Sequence, residues 1–194
     1  MLVLASASPR RHELLQNAGI PFVVRPANVP EVPQEGEQPE SFVERMAREK
    51  ALAVSRQSSD EFVLGADTIV VIDAQILGKP RDVSDAARML RLLSGRTHRV
   101  ITGICLIGPD LRSKNPKAVF EDTRSQTTLV RMRVLGDDDV RDYVSTAEPM
   151  DKAGAYAIQG IASRWISGIE GDYFNVVGLP VALVYEMLRE HGTA

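Results

Sequence analysis

Cysteine is nearly absent: Cys105 is the single one in 194 residues. No intramolecular disulfide can form, and a thiolate-rich metal centre is excluded. That usage fits a reducing, cytoplasmic compartment. Aromatic residues make up 5% of the chain, which disfavours a base-stacking platform for single-stranded nucleic acid. Basic excess is missing too. Lys+Arg number 23 against 26 Asp+Glu, for a net charge of -3, so neither a nucleic-acid polymer nor an anionic membrane is an expected partner. No apolar run reaches the roughly 18 residues of a membrane span. The opening Met1 to Ala7 is apolar but lacks the basic flank and the length of a signal peptide. It reads as a buried first strand. The histidines His12, His98 and His191 have no ligand spacing, which argues against a His-based zinc centre. Walker A, G-x-G-x-x-G and G-x-S-x-G patterns are missing.

What remains is an ordinary globular composition, 44% hydrophobic and 25% charged, long enough to bury a full core without staples. Short strands are expected at Leu2–Ala5 and Phe22–Val24, with a helix between them. Ser8 suits its N-cap, Pro9 its first turn and Gly19 its end. The stretch 26–39 holds four of the eleven prolines and reads as a long irregular loop. Apolar spacing predicts a helix over 40–56. A strand follows over 62–73, with a polar interruption at Gly65-Ala66-Asp67-Thr68. Gly78-Lys79-Pro80 reads as a turn. A helix capped by Ser84 runs to Leu93, with Gly95 ending it. Strands are expected at 97–107 and 118–134, joined by a polar loop over 108–117. A short helix over 137–145, a glycine-punctuated stretch over 149–160, a strand over 164–169 and a helix from Pro180 to Arg189 complete the reading. Alternating helices and strands, followed by longer strands, predict a mixed α/β domain. No internal repeat or flexible linker interrupts it.

Four features stand out chemically. Ser6-Ala7-Ser8-Pro9-Arg10-Arg11 sets two arginines in the first turn of a helix, where the dipole disfavours cations. A polyphosphate ligand would account for them, with the helix N-terminus adding amide donors. An ordinary capped helix with solvated arginines is the alternative. Asp67 lies amid Val63, Leu64, Ile69, Val70 and Val71, where a carboxylate is costly unless paired, metal-bound or facing a cleft. A strand-end turn at Gly65 is its structural alternative. Glu31, Glu49, Lys50, Lys79, Asp151 and Lys152 are scattered charges that read equally well as solvated side chains. The segments 151–160 and 171–180 could line a flat base pocket or simply turn between core strands. Cys105 reads as core.

The chain also carries Leu-Ala-Ser-Ala-Ser-Pro-Arg-Arg at 4–11, Gly-Ala-Asp-Thr at 65–68 and Gly-Lys-Pro at 78–80. Leu-Ser-Gly-Arg-Thr-His follows at 93–98, Asp-Lys-Ala-Gly-Ala-Tyr-Ala-Ile-Gln-Gly at 151–160 and Asn-Val-Val-Gly-Leu-Pro at 175–180. In this order the motifs resemble the Maf family of nucleoside triphosphate pyrophosphatases, over nearly the whole chain. The resemblance implies one inosine-triphosphatase-like α/β domain over 1–194, with a mixed sheet and two lobes around a central groove. It implies a cytoplasmic homodimer that hydrolyses a nucleoside triphosphate to monophosphate and pyrophosphate with a divalent metal, Mg²⁺ or Mn²⁺. The general base falls on Asp67, and phosphate binding on Ser8, Arg10 and Arg11. Glu31, Lys50 and Lys79 match further polar positions, with Glu31 and Asp67 as metal ligands. Arg10, Thr68 and Gln159 match the positions that divide the family by base. Their combination resembles the dTTP/UTP branch and departs at all three from the Trp, Gln and Glu of the 7-methyl-GTP branch. The alternative attached to the same family is a nucleotide-binding regulator of cell division or septum formation with little catalysis. A serine hydrolase using Ser6 or Ser8 is a third reading.

Overall fold

The structure is a computed structural model that describes residues 1–56, 60–115 and 117–192. Pro116, in the expected loop 108–117, lies outside the described residues. The chain divides into two compact units. The first comprises Met1–Asp67, Thr102–Gln126 and Gly178–Ala194, the second Thr68–Ile101 and Thr127–Val177.

The first unit opens on β1 (Leu2–Leu4), crosses over through α1 (Pro9–Asn17) and returns as β2 (Phe22–Val24). The crossover makes the two strands parallel, and β1 also runs parallel to the start of β3 (Phe62–Ile72), with Val3 opposite Val23 and Val63. All three β1 residues are buried, as the apolar run requires. Ser8 occupies the N-cap position of α1, but its side chain makes no cap bond. Pro39 starts α2 (Pro39–Ser55) at the position where a missing N–H costs nothing. The stripe Phe42, Val43, Met46, Ala47, Ala51 and Val54 of α2 is buried, at helical spacing. Ala47, Ala51 and Val54 join Val3, Ala5, Val63, Cys105 and Ile107 in one core. Cys105 is a buried core residue, as its apolar strand suggests.

In the second unit, β3 turns back as β4 (Gln75–Leu77), antiparallel through Val70–Leu77 and Ile72–Gln75. The expected strand over 62–73 forms as β3, continuous over eleven residues through the polar Gly65–Thr68 segment, so Asp67 does not sit in a strand-end turn at Gly65. The hairpin was not foreseen, because its turn residues Asp73 and Ala74 take positive φ of 49° and 60° without the usual Gly or Asn. Next comes α3 (Val83–Leu93), whose N-cap is Asp82, not Ser84: its carboxylate accepts the Asp85 N–H. Leu90 and Leu93 of α3 pack with Val140, Tyr143 and Val144 of α4 (Asp137–Ser145), over Val70, Val100 and Val130.

The long strands β5 (Thr97–Pro109) and β6 (Val119–Met132), like β3, contribute residues to both units. Strands hydrogen-bond in the order β2-β1-β3-β5-β6-β7, with β4 on β3 and β7 spanning Ile166–Glu170. This is the expected mixed α/β sheet, parallel through β1 and antiparallel at β6–β7. Residues 161–165, expected in part as strand, form a 3₁₀ turn instead. The short α5 (Tyr173–Val177) falls in a stretch read as turn or pocket lining. The last helix, α6 (Val181–Glu190), has Pro180 at its N-cap position. Among the described residues, no helix is long and apolar enough to cross a membrane.

Candidate functional site

The first unit assembles its charges around Lys50. Two glycines make this possible. A Cβ on Gly65 would stand 2.1 Å from the Ala47 carbonyl oxygen, and one on Gly103 2.3 Å from the Val43 oxygen. Glycine at both places lets the backbone of α2 lie directly on β3 and β5. Lys50, on the same helix face as Met46, Ala47, Ala51 and Val54, is thereby carried to Asp67. Its Nζ donates to Asp67 Oδ1 at 2.6 Å and to Glu31 Oε1 at 2.5 Å. Asp67 has only 7% of its side chain exposed, whereas Glu31, on the proline-rich segment, has 44%. The ion pair answers the question the sequence posed: a carboxylate in an apolar strand is tolerated when paired.

Burial pushes the Asp67 carboxyl above the usual carboxylate range. The Lys50 charge and hydrogen bond and the Arg11 charge pull it back down, and Glu31 pushes it up again. A carboxylate raised by its surroundings is a better proton acceptor than a solvated one.

The two arginines of α1 part company. Successive helical residues point about 100° apart, and Arg11 turns inward while Arg10 stays half-buried at the surface. Arg11 Nε donates to the Gly178 oxygen at 2.8 Å. Its Nη1 donates to the Ala66 oxygen at 3.0 Å and to Ser6 Oγ at 3.1 Å. Burial lowers the Arg11 pKa, opposed chiefly by Asp67. The guanidinium therefore ties the turn before α6, the strand beside Asp67 and the Ser6 turn to one point. Ser6 Oγ also accepts the Ser8 N–H at 3.2 Å, so the Ser6 hydroxyl is a turn-former rather than a presented nucleophile.

The second unit carries the other expected residues. Thr68 is half-buried and immediately follows Asp67 on β3; Lys79 and Gln159 are exposed. The Gly78 oxygen accepts the Gly154 N–H at 3.0 Å, fixing the Gly-Lys-Pro turn against the 3₁₀ turn Ala153–Ala155. Gly154 has a φ of +68°, and a Cβ there would meet Val70 at 2.8 Å. Asn175, in the segment read as pocket lining, is fully buried. Its amide donates to the Val100 oxygen at 3.1 Å and Thr128 Oγ1 at 2.9 Å. His98 is buried against Tyr156, with Nε2 2.8 Å from the phenol oxygen. The sequence reading missed the inward turn of Arg11 and also Glu148, whose carboxylate is bonded by Tyr143 and Ile161. Only the motif resemblance pointed near them.

Among the described residues, two groups have the chemistry of a hard-cation site. Glu31 and Asp67 turn oxygens toward one positive point, the Lys50 ammonium. Asp122, Glu190 and His191 also gather their ligand atoms. However, a cation already pairs with both carboxylates in each, Lys50 in the first and Arg124 in the second, and in the second group His191 stacks on Phe120 at 3.6 Å. Its charge is spent on closing α6 over β6.

A dTTP/UTP pyrophosphatase of Koribacter versatilis (strain Ellin345) is 56% identical over 98% of this chain and 94% of its own. A dTTP/UTP pyrophosphatase of Geobacter sp. (strain M21) is 50% identical over 98% and 95%. One from Symbiobacterium thermophilum (strain DSM 24528 / JCM 14929 / IAM 14863 / T) is 48% identical over 98% and 94%. A family model described as Maf-like protein matches residues 1–191, a span that takes in both charge-bearing units and every motif quoted above. The chain belongs to the Maf family.

Proposed function

We propose that this protein is a nucleoside triphosphate pyrophosphatase that hydrolyses dTTP and UTP to the monophosphate and pyrophosphate. The observation that carries the reading is the Glu31–Lys50–Asp67 cluster, in a chain 56% identical to a protein of that name. A triphosphate repels an attacking water unless its charge is offset. Arg10, Arg11, Lys50 and Lys79 offset it, with Ser8 and the amides that open α1 as further donors. Asp67 orients the water and accepts its proton. The water oxygen bonds to the α-phosphorus, the bond from that phosphorus to the bridging oxygen breaks, and pyrophosphate leaves. Thr68 and Gln159 read the pyrimidine edge, a task suited to a side-chain amide with both donor and acceptor.

The donor set also fits a divalent metal. Glu31 and Asp67 supply hard carboxylate oxygens, the preference of Mg²⁺ and Mn²⁺. Held by the Glu31 and Asp67 carboxylates, the ion would supply charge neutralisation to the phosphates. We assign the whole of 1–194 to one functional domain, since three strands feed both units and the family match spans them. The expected setting is a cytoplasmic homodimer. Sedimentation at micromolar concentration tests the dimer.

Pyrophosphate release from dTTP, UTP, dATP and dGTP with Mn²⁺ tests the activity. Multiple turnovers with the pyrimidines support it. Tight binding without release refutes it in favour of a nucleotide-binding regulator. Asp67→Asn should lower kcat by about 10²–10⁴, the range for a positioned general base. Near-normal turnover by a folded Asp67→Asn protein removes the base assignment.

A further inference from the structure

Gln159, assigned above to the base, sits on an exposed turn with no regular structure to hold it. Its neighbours are braced from below. The Gly160 N–H reaches the Ala157 oxygen at 3.1 Å and closes the turn. On one side the Ala157 N–H donates to the Tyr143 phenol oxygen at 3.3 Å. On the other, the Ile161 N–H donates to both oxygens of Glu148, at 3.1 and 3.3 Å. Tyr143 O–H then donates to Glu148 Oε1 at 2.9 Å. A chain of hydrogen bonds therefore runs from 157 to 161 beneath Gln159, through two side chains from outside the turn.

The fit of this brace is tight. A Cβ on Gly160 would stand 2.1 Å from Glu148 Oε1 and 2.6 Å from its Cδ. The carboxylate occupies the room that glycine leaves. Both ends of the brace are anchored. Tyr143 is 2% exposed and packs edge-on against Trp165, with ring centroids 5.5 Å apart. The Glu148 backbone donates to Thr146 Oγ1 and accepts from Lys152 Nζ at 2.8 Å. A charged acceptor beneath a surface turn is more than packing demands. An aliphatic side chain would fill the space, but it would leave the Ile161 N–H without its acceptor.

We propose that Glu148, oriented by Tyr143, is a positioning residue for base discrimination: it holds the 157–161 turn so that Gln159 meets the base in one pose. The inference rests on the reading of Gln159 as the base-reading residue. Glu148 touches no reacting group. Its effect passes through Gln159 and falls on KM and on the choice of base, because a preorganised amide forfeits less freedom on binding.

The test uses the full-length protein and steady-state kinetics with dTTP, UTP and dGTP. Glu148→Ala should raise KM for both pyrimidines about tenfold, the order expected for losing one charge-assisted hydrogen bond. Its kcat should stay within about twofold of the parent. Tyr143→Phe should show the same pattern more weakly, and Glu148→Gln, which keeps an acceptor for Ile161, should recover most of the preference. In a Gln159→Ala background, Glu148→Ala should have no further effect on the pyrimidine-to-purine ratio. Independent multiplication of the two losses, or an equal fall in kcat for every nucleotide, overturns the proposal. Hydrogen exchange in the nucleotide-free protein reads the brace separately. The Ile161 amide should exchange at least tenfold faster in Glu148→Ala, by the same hydrogen-bond factor. Unchanged exchange overturns the brace. Faster exchange together with no effect of Gln159→Ala on base preference overturns the assignment of Gln159 instead.

Discussion

His98 makes the protein acid-sensitive in a calculable way. It is 2% exposed. Nε2 lies 2.8 Å from the Tyr156 hydroxyl, and Nδ1 has no hydrogen-bond partner among the described residues. A second proton on this ring would be buried without a counter-charge, and burial lowers the His98 pKa from 6.5 to about 4. The unfolded chain therefore takes up the proton at a higher pH than the folded one. The stability is complete above pH 6.5 and is lost as pH falls toward 4. The full shift of about 2.5 units is worth roughly 3 kcal/mol, and about 2 kcal/mol of it is gone by pH 5. Urea unfolding at pH 7.5 and pH 5.0 measures this. His98→Gln cannot titrate, so any constant effect of the substitution cancels in the comparison between the two pH values. The parent should lose about 2 kcal/mol more than His98→Gln, or roughly 1 M in midpoint at a slope of about 2 kcal/mol/M. Equal losses in the two proteins would refute the reasoning. They would mean that His98 is charged in the folded state.

Gly65→Ala should destabilise the protein by about 1–3 kcal/mol or more, because the new Cβ would stand 2.1 Å from the Ala47 oxygen. It should lower kcat beyond that effect, since the displaced α2 carries Lys50 away from Asp67; thermal melting and pyrophosphate release at a temperature well below the melt separate the two. Arg11→Lys should cost about 1.5–3 kcal/mol, because one ammonium cannot span the Gly178, Ala66 and Ser6 acceptors that the planar guanidinium reaches. A stability within 0.5 kcal/mol of the parent, roughly the scatter of surface substitutions, would show that Arg11 is no strut.

The helix 137–145 was legible to the residue at both ends, because a run of three aspartates marks its first turn and the apolar residues Val140, Tyr143 and Val144 set its face. The irregular segment 26–38 was legible from its prolines. Elements failed where the local signal was weak or shared. Asp82 and Ser84 are both good caps, and the choice between them depends on which side-chain oxygen meets a free N–H of the first turn; the Asp82 carboxylate meets that of Asp85. The hairpin after β3 uses Asp and Ala in a left-handed turn, so no dipeptide signature announces it. Five residues of α5 are too few to show a helical period.

The site was legible in part for the same kind of reason. Asp67 betrays itself as a lone charge in an apolar strand. Lys50 does not, because a helix lysine near an apolar face reads the same whether it is solvated or paired. Its partners lie 19 and 17 residues away in sequence, and the bonds of Arg11 reach across 55 and 167. Topology sets such separations, and no local pattern carries them. The geometry also orders the two carboxylates. Asp67 is held by continuous strand backbone and 7% exposed; Glu31 hangs from an irregular segment with 44% of its side chain in solvent. The strand, not the loop, fixes where Asp67, the proposed proton acceptor, stands, and a net charge of -3 on the whole chain places no bar on a polyanionic substrate. The charges that matter are a handful, and α2, through Gly65, sets their spacing.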